Sequence, residues 1–281
     1  MNRIALISDS SCDLNKFDLE KYSINLLPLR IIYENREFLD RIEISSEELL
    51  SSMERETPKT SLPDLDYSSA LLEKLINDGY THFIITTVST AISGTFNSLR
   101  LLIDHYPNVK FHLFDTKTLG YPHGAINIEI SKLISNNFSF DEIISRLDAI
   151  RTRCHGFLTC STLEYLKRGG RIGKVSGTIA EALNIKPIIS SNDEGELYTY
   201  SKARGRKQSI SKLKDCITKY LDNCKCRVWI LSGASDKEAN SLSEIIKSHK
   251  NLIDISIEHM GASVLVHTGP GAIGACILEE F

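Results

Sequence analysis

The stretch His82-Phe83-Ile84-Ile85-Thr86-Thr87-Val88-Ser89-Thr90-Ala91-Ile92-Ser93-Gly94-Thr95 sets the fold class. Its first six residues have the apolar, β-branched composition of a buried strand, and Ile92, Phe96, Leu99 and Ile103 then repeat at helical spacing. A hydroxyl-rich turn therefore joins the carboxyl end of a strand to the amino end of a helix. Free backbone N–H groups and the positive end of the helix dipole converge on such a turn, and open α/β sheets bind ligands along that edge. The turn holds no Lys, Arg, Asp, Glu or His, so it can cup a carboxylate or phosphate oxygen but offers no strong general base. Ser93 can also cap the helix, because a capping oxygen accepts from the backbone while its own proton goes to a ligand.

Outward from this turn, residues 3–8 and 109–114 read as further buried strands, and 67–78, 92–106 and 123–136 as helices. That alternation implies parallel βαβ units. Residues 26–33 and 36–39 flank Glu34-Asn35 as a hairpin, and 140–153 carries Ile143, Ile144, Leu147 and Ile150 along one side of an amphipathic helix. The pattern changes there, which places a boundary near residue 153. Beyond it the chain reads as strand 156–160, helices 162–168 and 175–183, and strands 186–190 and 197–202 joined across Asn192-Asp193-Glu194-Gly195. Helix 207–221, strand 227–232, helix 237–248, strands 253–258 and 263–267, and a last helix from Gly271 follow. The expected architecture is α/β in two domains with a ligand cleft between them. Residues 1–153 form a mostly parallel α/β domain, and residues 154–281 an α+β domain with a mixed or antiparallel sheet.

The 281 residues suffice for a sizeable core, and a net charge of −3 gives no broad electrostatic footprint for nucleic acid or an anionic membrane. No segment approaches the roughly 20 apolar residues of a membrane span, and Met1-Asn2-Arg3 enters a strand-like run with no signal peptide, so a cytoplasmic location is expected. Seven scattered cysteines without Cys-x-x-Cys spacing point to reduced thiols, and Cys224-x-Cys226 is too close for a usual chelating pair. No metal or cofactor is implied.

Six further constellations border the expected cleft. Ser8-Asp9-Ser10-Ser11-Cys12-Asp13 closes the first strand, either as a polar floor or as caps for the next helix. In Pro58-Lys59-Thr60-Ser61-Leu62-Pro63 two prolines hold the backbone extended and present the Thr60 and Ser61 hydroxyls. Asp115, after another strand, lines the same edge. Lys167-Arg168-Gly169-Gly170-Arg171 is a basic Gly-Gly turn too short for a Walker loop or a dinucleotide fingerprint, and Ala203-Arg204-Gly205-Arg206 is a second basic turn of the kind that usually marks a solvated helix entry. Val264-Leu265-Val266-His267-Thr268-Gly269-Pro270-Gly271 reads as a strand ending in His267, then a glycine-rich turn into a helix. His267 there can donate a hydrogen bond or titrate near neutral pH, or serve only the core.

In order and spacing these segments resemble the DegV family, the fatty-acid-binding subunits of bacterial fatty-acid kinase systems. The resemblance spans nearly the whole chain: Ser8-Asp9-Ser10, Thr60-Ser61-x-Pro63, Ser89-x-x-Ile92-Ser93-Gly94-Thr95-Phe96, Asp115-Thr116, Gly169-Gly170-Arg171-Ile172, Asn184-Ile185-Lys186-Pro187, Arg204-Gly205 and His267-x-Gly269-Pro270-Gly271. It departs at Leu62, where the family often has Gln, at Asp64, where a small or hydroxyl residue is common, and at Gly173, where Ser is common. Leu62 removes a polar group beside the site. The resemblance implies a long-chain fatty acid held between two domains and a separate ATP-dependent kinase that converts its carboxyl group to an acyl phosphate. It further implies that Thr60, Ser61, Ser93, Gly94 and His267 hold the carboxylate, and that Arg171 and Arg204 face the kinase or its phosphate donor. The chain itself would carry no catalytic residue and would neither bind nucleic acid nor insert stably in a membrane.

About 14 methylenes leaving water contribute at most roughly 11 kcal/mol before association costs, so the tail would dominate affinity. An uncharged cup would fix the carboxylate while leaving its oxygen nucleophilic. Two alternatives are a small-molecule phosphotransferase or hydrolase using Ser93 or His267, for which no Gly-x-Ser-x-Gly elbow, metal cluster or phosphate loop is present, and a regulatory interaction protein without a ligand.

Overall fold

The computed structural model describes residues 3–179 and 184–280. The first half supplies β1 (Ile4–Asp9), β2 (Ile24–Leu27), β3 (Arg30–Ile32), β4 (Glu37–Leu39), β5 (Lys59–Ser61), β6 (His82–Thr87) and β7 (Lys110–Asp115). Four of these make a parallel sheet in the order β2-β1-β6-β7. Its centre is a continuous apolar run on adjacent strands, Ala5 to Ile7 beside Phe83 to Ile85, all of it buried because helices cover both faces. The helix Leu65–Asn77 opens on Asp64, whose carboxylate accepts from the Asp66 and Tyr67 amides, and the helix Thr95–Ile103 follows the turn after β6.

The expected hairpin over 26–39 is redistributed. Pro28 lacks an N–H to continue the ladder, so β2 stops at Leu27 and stays with the parallel sheet, while β3 and β4 pair after it. β5 adds to the other side of β3, Thr60 opposite Ile31, so the segment between the two prolines is a strand of a three-stranded ribbon rather than a loop. The single helix expected over 140–153 is two, Phe140–Ile144 under a Ser139/Glu142 capping box and Leu147–Thr152.

The second half supplies β8 (Cys154–Thr159), β9 (Ile188–Ser191), β10 (Leu197–Ser201), β11 (Cys226–Gly233), β12 (Leu252–His259) and β13 (Ala272–Glu279), in the sheet order β10-β9-β8-β13-β11-β12. Only β11 and β12 are parallel; the other pairs are antiparallel. The α/β class with one parallel and one mixed sheet is as expected. Two elements are reversed: residues 263–267 lie in a helix, Ala262–Thr268, and the segment after Gly271 is β13, not a helix. The run AIGACILE is apolar almost throughout and needs burial on both faces, which a strand between β8 and β11 obtains and an amphipathic surface helix does not. The Val-rich run 264–266 reads as β, but its burial on all sides as a short helix overrides that preference. Of the helix expected over 175–183, a 3-10 turn (Gly173–Val175) and one helical turn (Ser176–Ile179) are observed, and 180–183 lie outside the described residues.

The helix Tyr121–Ser135 packs against β1 on one side and against β8 and β13 on the other. Sandwiched between the two sheets, it is buried nearly all round, and Tyr121 meets the Trp229 ring at 5.3 Å. Among the described residues no helix is long and apolar enough to cross a membrane.

Candidate functional site

A cavity of about 220 Å³ opens where the two halves meet the ribbon. Its walls are mostly apolar, with Leu29, Leu62, Val88 and Ile92 from the first half and Leu158, Leu166, Leu197 and Val264 from the second. A narrower space of about 30 Å³ continues inward past Leu119, Leu158, Leu197 and Val264 toward Met260 and Phe157. Thr60, Ser61, Ser93, Arg171 and His267 line the main cavity together, so five residues singled out in the sequence converge although they come from four separate elements.

β5 and the helix Ala262–Thr268 place the first pair: Thr60 Oγ1 lies 2.7 Å from His267 Nε2. Gly169 packs so closely against His267 that a Cβ there would overlap the ring. Burial, then the positive charge of Arg171, pushes the His267 pKa down to about 4, so the imidazole is neutral at pH 7 rather than titrating there. Its Nδ1 is buried without a partner among the described residues. Ser61 has the opposite side of β5, where its hydroxyl accepts from Arg30 Nη2 at 3.4 Å. Ser93 is not the helix cap itself. Gly94 holds that position, and Ser93 Oγ lies 2.8 Å from Thr95 Oγ1 and accepts the Thr95 amide at 3.3 Å. Gly94 lies beside the Leu62 side chain, where a Cβ would come into ordinary van der Waals contact at 3.7 Å.

The expected uncharged cup is corrected. Arg171 enters the wall from the second half and is anchored there, Nε donating to Ile92 O at 3.2 Å and Nη1 to Gly169 O at 2.5 Å. A sequence turn without charge cannot reveal a guanidinium that arrives from 79 residues away in the chain. Arg171 is therefore part of the cavity, and it also borders an outer basin of about 300 Å³ that carries Lys59 and Arg168 and shares Thr60 and His267 as its partition. Arg204 is elsewhere: exposed at the start of the helix Gly205–Leu221, it lies outside the cavity wall. Neither Ser93 nor His267 bonds the other, so the alternative of a nucleophile with its base finds no such pair here.

Beneath the cavity lies a buried polar network that the sequence reading caught only at its edge. Asp9 accepts the Ser11 amide at 3.0 Å, the Ser11 hydroxyl at 2.5 Å and the Val88 amide at 2.7 Å. His123, fully buried, places Nε2 3.1 Å from Ser8 Oγ and 2.9 Å from Thr86 Oγ1, and Asn127 ties the same two hydroxyls together. Burial raises Asp9 to about 6 and lowers His123 to about 3. Ser8 and Thr86 interrupt otherwise apolar strands on neighbouring registers, and His123 and Asn127 stand one turn apart on a helix with no polar face. Those two irregularities were the available signal. A second network joins the halves: Asp13 accepts from Arg41 Nη2 at 3.1 Å and from the Gly261 amide at 2.8 Å, and Asp40 accepts the Ser10 hydroxyl at 2.6 Å. On the far rim the Gly195 turn docks onto the opening turn, Ser89 Oγ donating to Gly195 O at 2.8 Å.

This architecture has close counterparts. A DegV domain-containing protein of Clostridium perfringens is 46% identical over 280 residues, and one of Clostridium acetobutylicum 41% over 281 residues, each match covering all of both chains. A crystal structure of DegV from Bacillus subtilis, described as a fatty acid binding protein, superposes with a TM-score of 0.91 at 24% identity over all of both chains. A stearic acid-binding protein of Eubacterium ventriosum superposes at 0.88 with 27% identity, over 99% of this chain and 98% of its own. The family model described as "Uncharacterised protein, DegV family" matches residues 3–280, and with relatives aligned end to end at over 40% identity the chain belongs to the DegV family.

Proposed function

We propose that the protein binds a long-chain fatty acid in the cavity between its halves and presents the carboxylate to a separate ATP-dependent kinase for conversion to an acyl phosphate. The observation that carries the lipid half is the division of the cavity into an apolar interior and one polar end where Thr60, Ser61, Ser93, Arg171 and His267 meet. The stearic acid-binding relative, similar over its whole length, supports the same ligand class. Arg171, the hydroxyls and the Gly94 turn would hold the head group, and the tail would run past Val264 toward Met260. The inner space equals roughly one water's share of liquid volume, so seating a full chain requires the lining Leu and Met side chains to move.

The kinase half rests on the outer basin. Lys59, Arg168 and Arg171 surround a space separated from the head-group end only by Thr60 and His267, and phosphoryl transfer needs cations beside the attacking oxygen. Arg204 would belong to the partner's footprint. We read residues 1–153 and 154–281 as the two domains and place the protein in the cytoplasm, where its seven free cysteines stay reduced. Mass spectrometry of lipid extracted from the purified protein tests the reading: a co-purifying fatty acid is expected, and no fatty acid carried or taken up on addition removes it. The kinase step is tested by acyl-phosphate formation with the cognate kinase, which Arg204→Ala should impair while lipid binding is unchanged.

A further inference from the structure

Ser11 lines the cavity, yet its hydroxyl proton is already committed at 2.5 Å to Asp9, a carboxylate with no exposure at all. Ser263 lines the same wall, only 3% exposed, and its hydroxyl and amide serve the buried Asp40 carboxylate. Ser263 and His267 stand one turn apart on one helix, and that helix packs against the short turn Ser10–Cys12 that carries Ser11. This part of the wall therefore adjoins the polar end, and the hydroxyl protons of both its serines face buried carboxylates.

A carboxylate seated there meets only the lone pairs of Ser11, because one hydroxyl proton cannot serve an anion on each side. We propose that Asp9 is a positioning residue for the bound head group: when a carboxylate seats against Ser11, Asp9 takes up one proton and the Ser11 hydroxyl turns its own proton toward the ligand. The inference rests on the fatty-acid reading. The proton balance is simple. An acid entering as RCOOH gives its proton to Ser11 Oγ while Ser11 gives its own to Asp9, leaving RCOO⁻, an intact serine and a neutral Asp9. An acid entering as RCOO⁻ draws the same single proton from water. The surroundings permit it: the titratable groups facing Asp9 are His123 from the helix Tyr121–Ser135 and Cys12 from the 3-10 turn, while β6 and the turn after it offer the Val88 amide and no charge. Asp115 acts on the imidazole and Arg41 on the Cys12 thiol. His123 stays neutral, so no cation pins Asp9 in its charged form, and burial already holds its pKa near 6 in the absence of ligand.

The test is titration calorimetry with sodium laurate in two buffers of different ionisation heat, alongside ¹³C NMR of carboxyl-labelled laurate. Wild type should take up one proton per laurate at pH 7.5, with Kd about tenfold higher at pH 8 than at pH 7, and the bound laurate should show the shift of an ionised carboxylate. In Asp9→Asn the proton count should fall to zero and Kd should become flat with pH. Should that variant not fold, Ser11→Ala takes its place, with the count again falling toward zero. Binding without proton uptake in wild type, a full count surviving in the variant, or a protonated bound laurate overturns the proposal alone. A count abolished by Asp40→Asn but kept by Asp9→Asn overturns the assignment to Asp9. No laurate binding at any pH overturns the lipid reading as well.

Discussion

At the scale of single residues, Ser93 and His267 divide roles that a hydrolase would couple. Ser93 holds a helix entry together through Thr95, and His267 stays neutral against Thr60, so both are suited to orienting an oxygen rather than attacking a carbon. Ser93→Ala should weaken laurate binding by about 1–3 kcal/mol, the cost of losing a hydrogen bond to an anion, as read by calorimetry. His123 gives a separate pH signature. Its pKa in the fold, about 3, lies below the ordinary 6.5, so the stability it contributes is fully present above pH 6.5 and is lost as pH falls toward 3. Between pH 7 and pH 5 that loss is about 2 kcal/mol. Urea unfolding of wild type and His123→Gln at both pH values should show their stability difference shrink by that amount on acidification; Asp9 and Asp13, both raised to about 6, change stability in the opposite sense, which is why the comparison is made against the variant.

At the scale of elements, legibility followed the number of neighbours a segment must satisfy. β6 was read with its observed bounds because a continuous β-branched run next to a helical repeat has one solution, and the Asn192–Gly195 hairpin because its turn chemistry is local. The helix Ala262–Thr268 and β13 were interchanged because each is buried on all sides, and a fully buried segment carries no periodicity to distinguish the two. The site hydroxyls were legible as ends of elements, whereas Arg171 in the wall and the Asp9–His123 network depend on contacts between distant segments. The hairpin turn provides an element-scale test. Gly195 has a φ of 80° and sits so close that a Cβ would overlap the Ser89 hydroxyl, so Gly195→Ala should lower stability by about 1–3 kcal/mol in thermal unfolding and loosen the contact between the two turns.

At the scale of the whole molecule, the cavity neck is built jointly, Leu119 from the first half against Leu158, Leu197 and Val264 from the second. Val264→Phe should narrow it and discriminate by length, raising Kd for palmitate at least tenfold while changing Kd for octanoate by less than threefold, as measured by competition binding. The same joint construction would make the proposed ligand a clamp on the fold: at a free concentration of 100 times Kd, a bound fatty acid would add about 2.7 kcal/mol to stability, read as a rise in thermal midpoint.

One feature of the mixed sheet bears on how the molecule is made. β13 is the last of the six strands in sequence, yet it lies between β8 and β11 and is hydrogen-bonded to both. On a ribosome adding about 5–20 residues per second, the parallel sheet has all four of its strands once residue 115 has emerged, while β8, complete at Thr159, and β11, complete at Gly233, keep the edges that face each other open until β13 begins at Ala272. The first half can thus fold during translation and the second only as a late, single closure. Premature stop codons before residue 272 should therefore leave a chain with one folded half and two unpaired strand edges, a substrate for chaperones and proteases rather than a shortened but working protein.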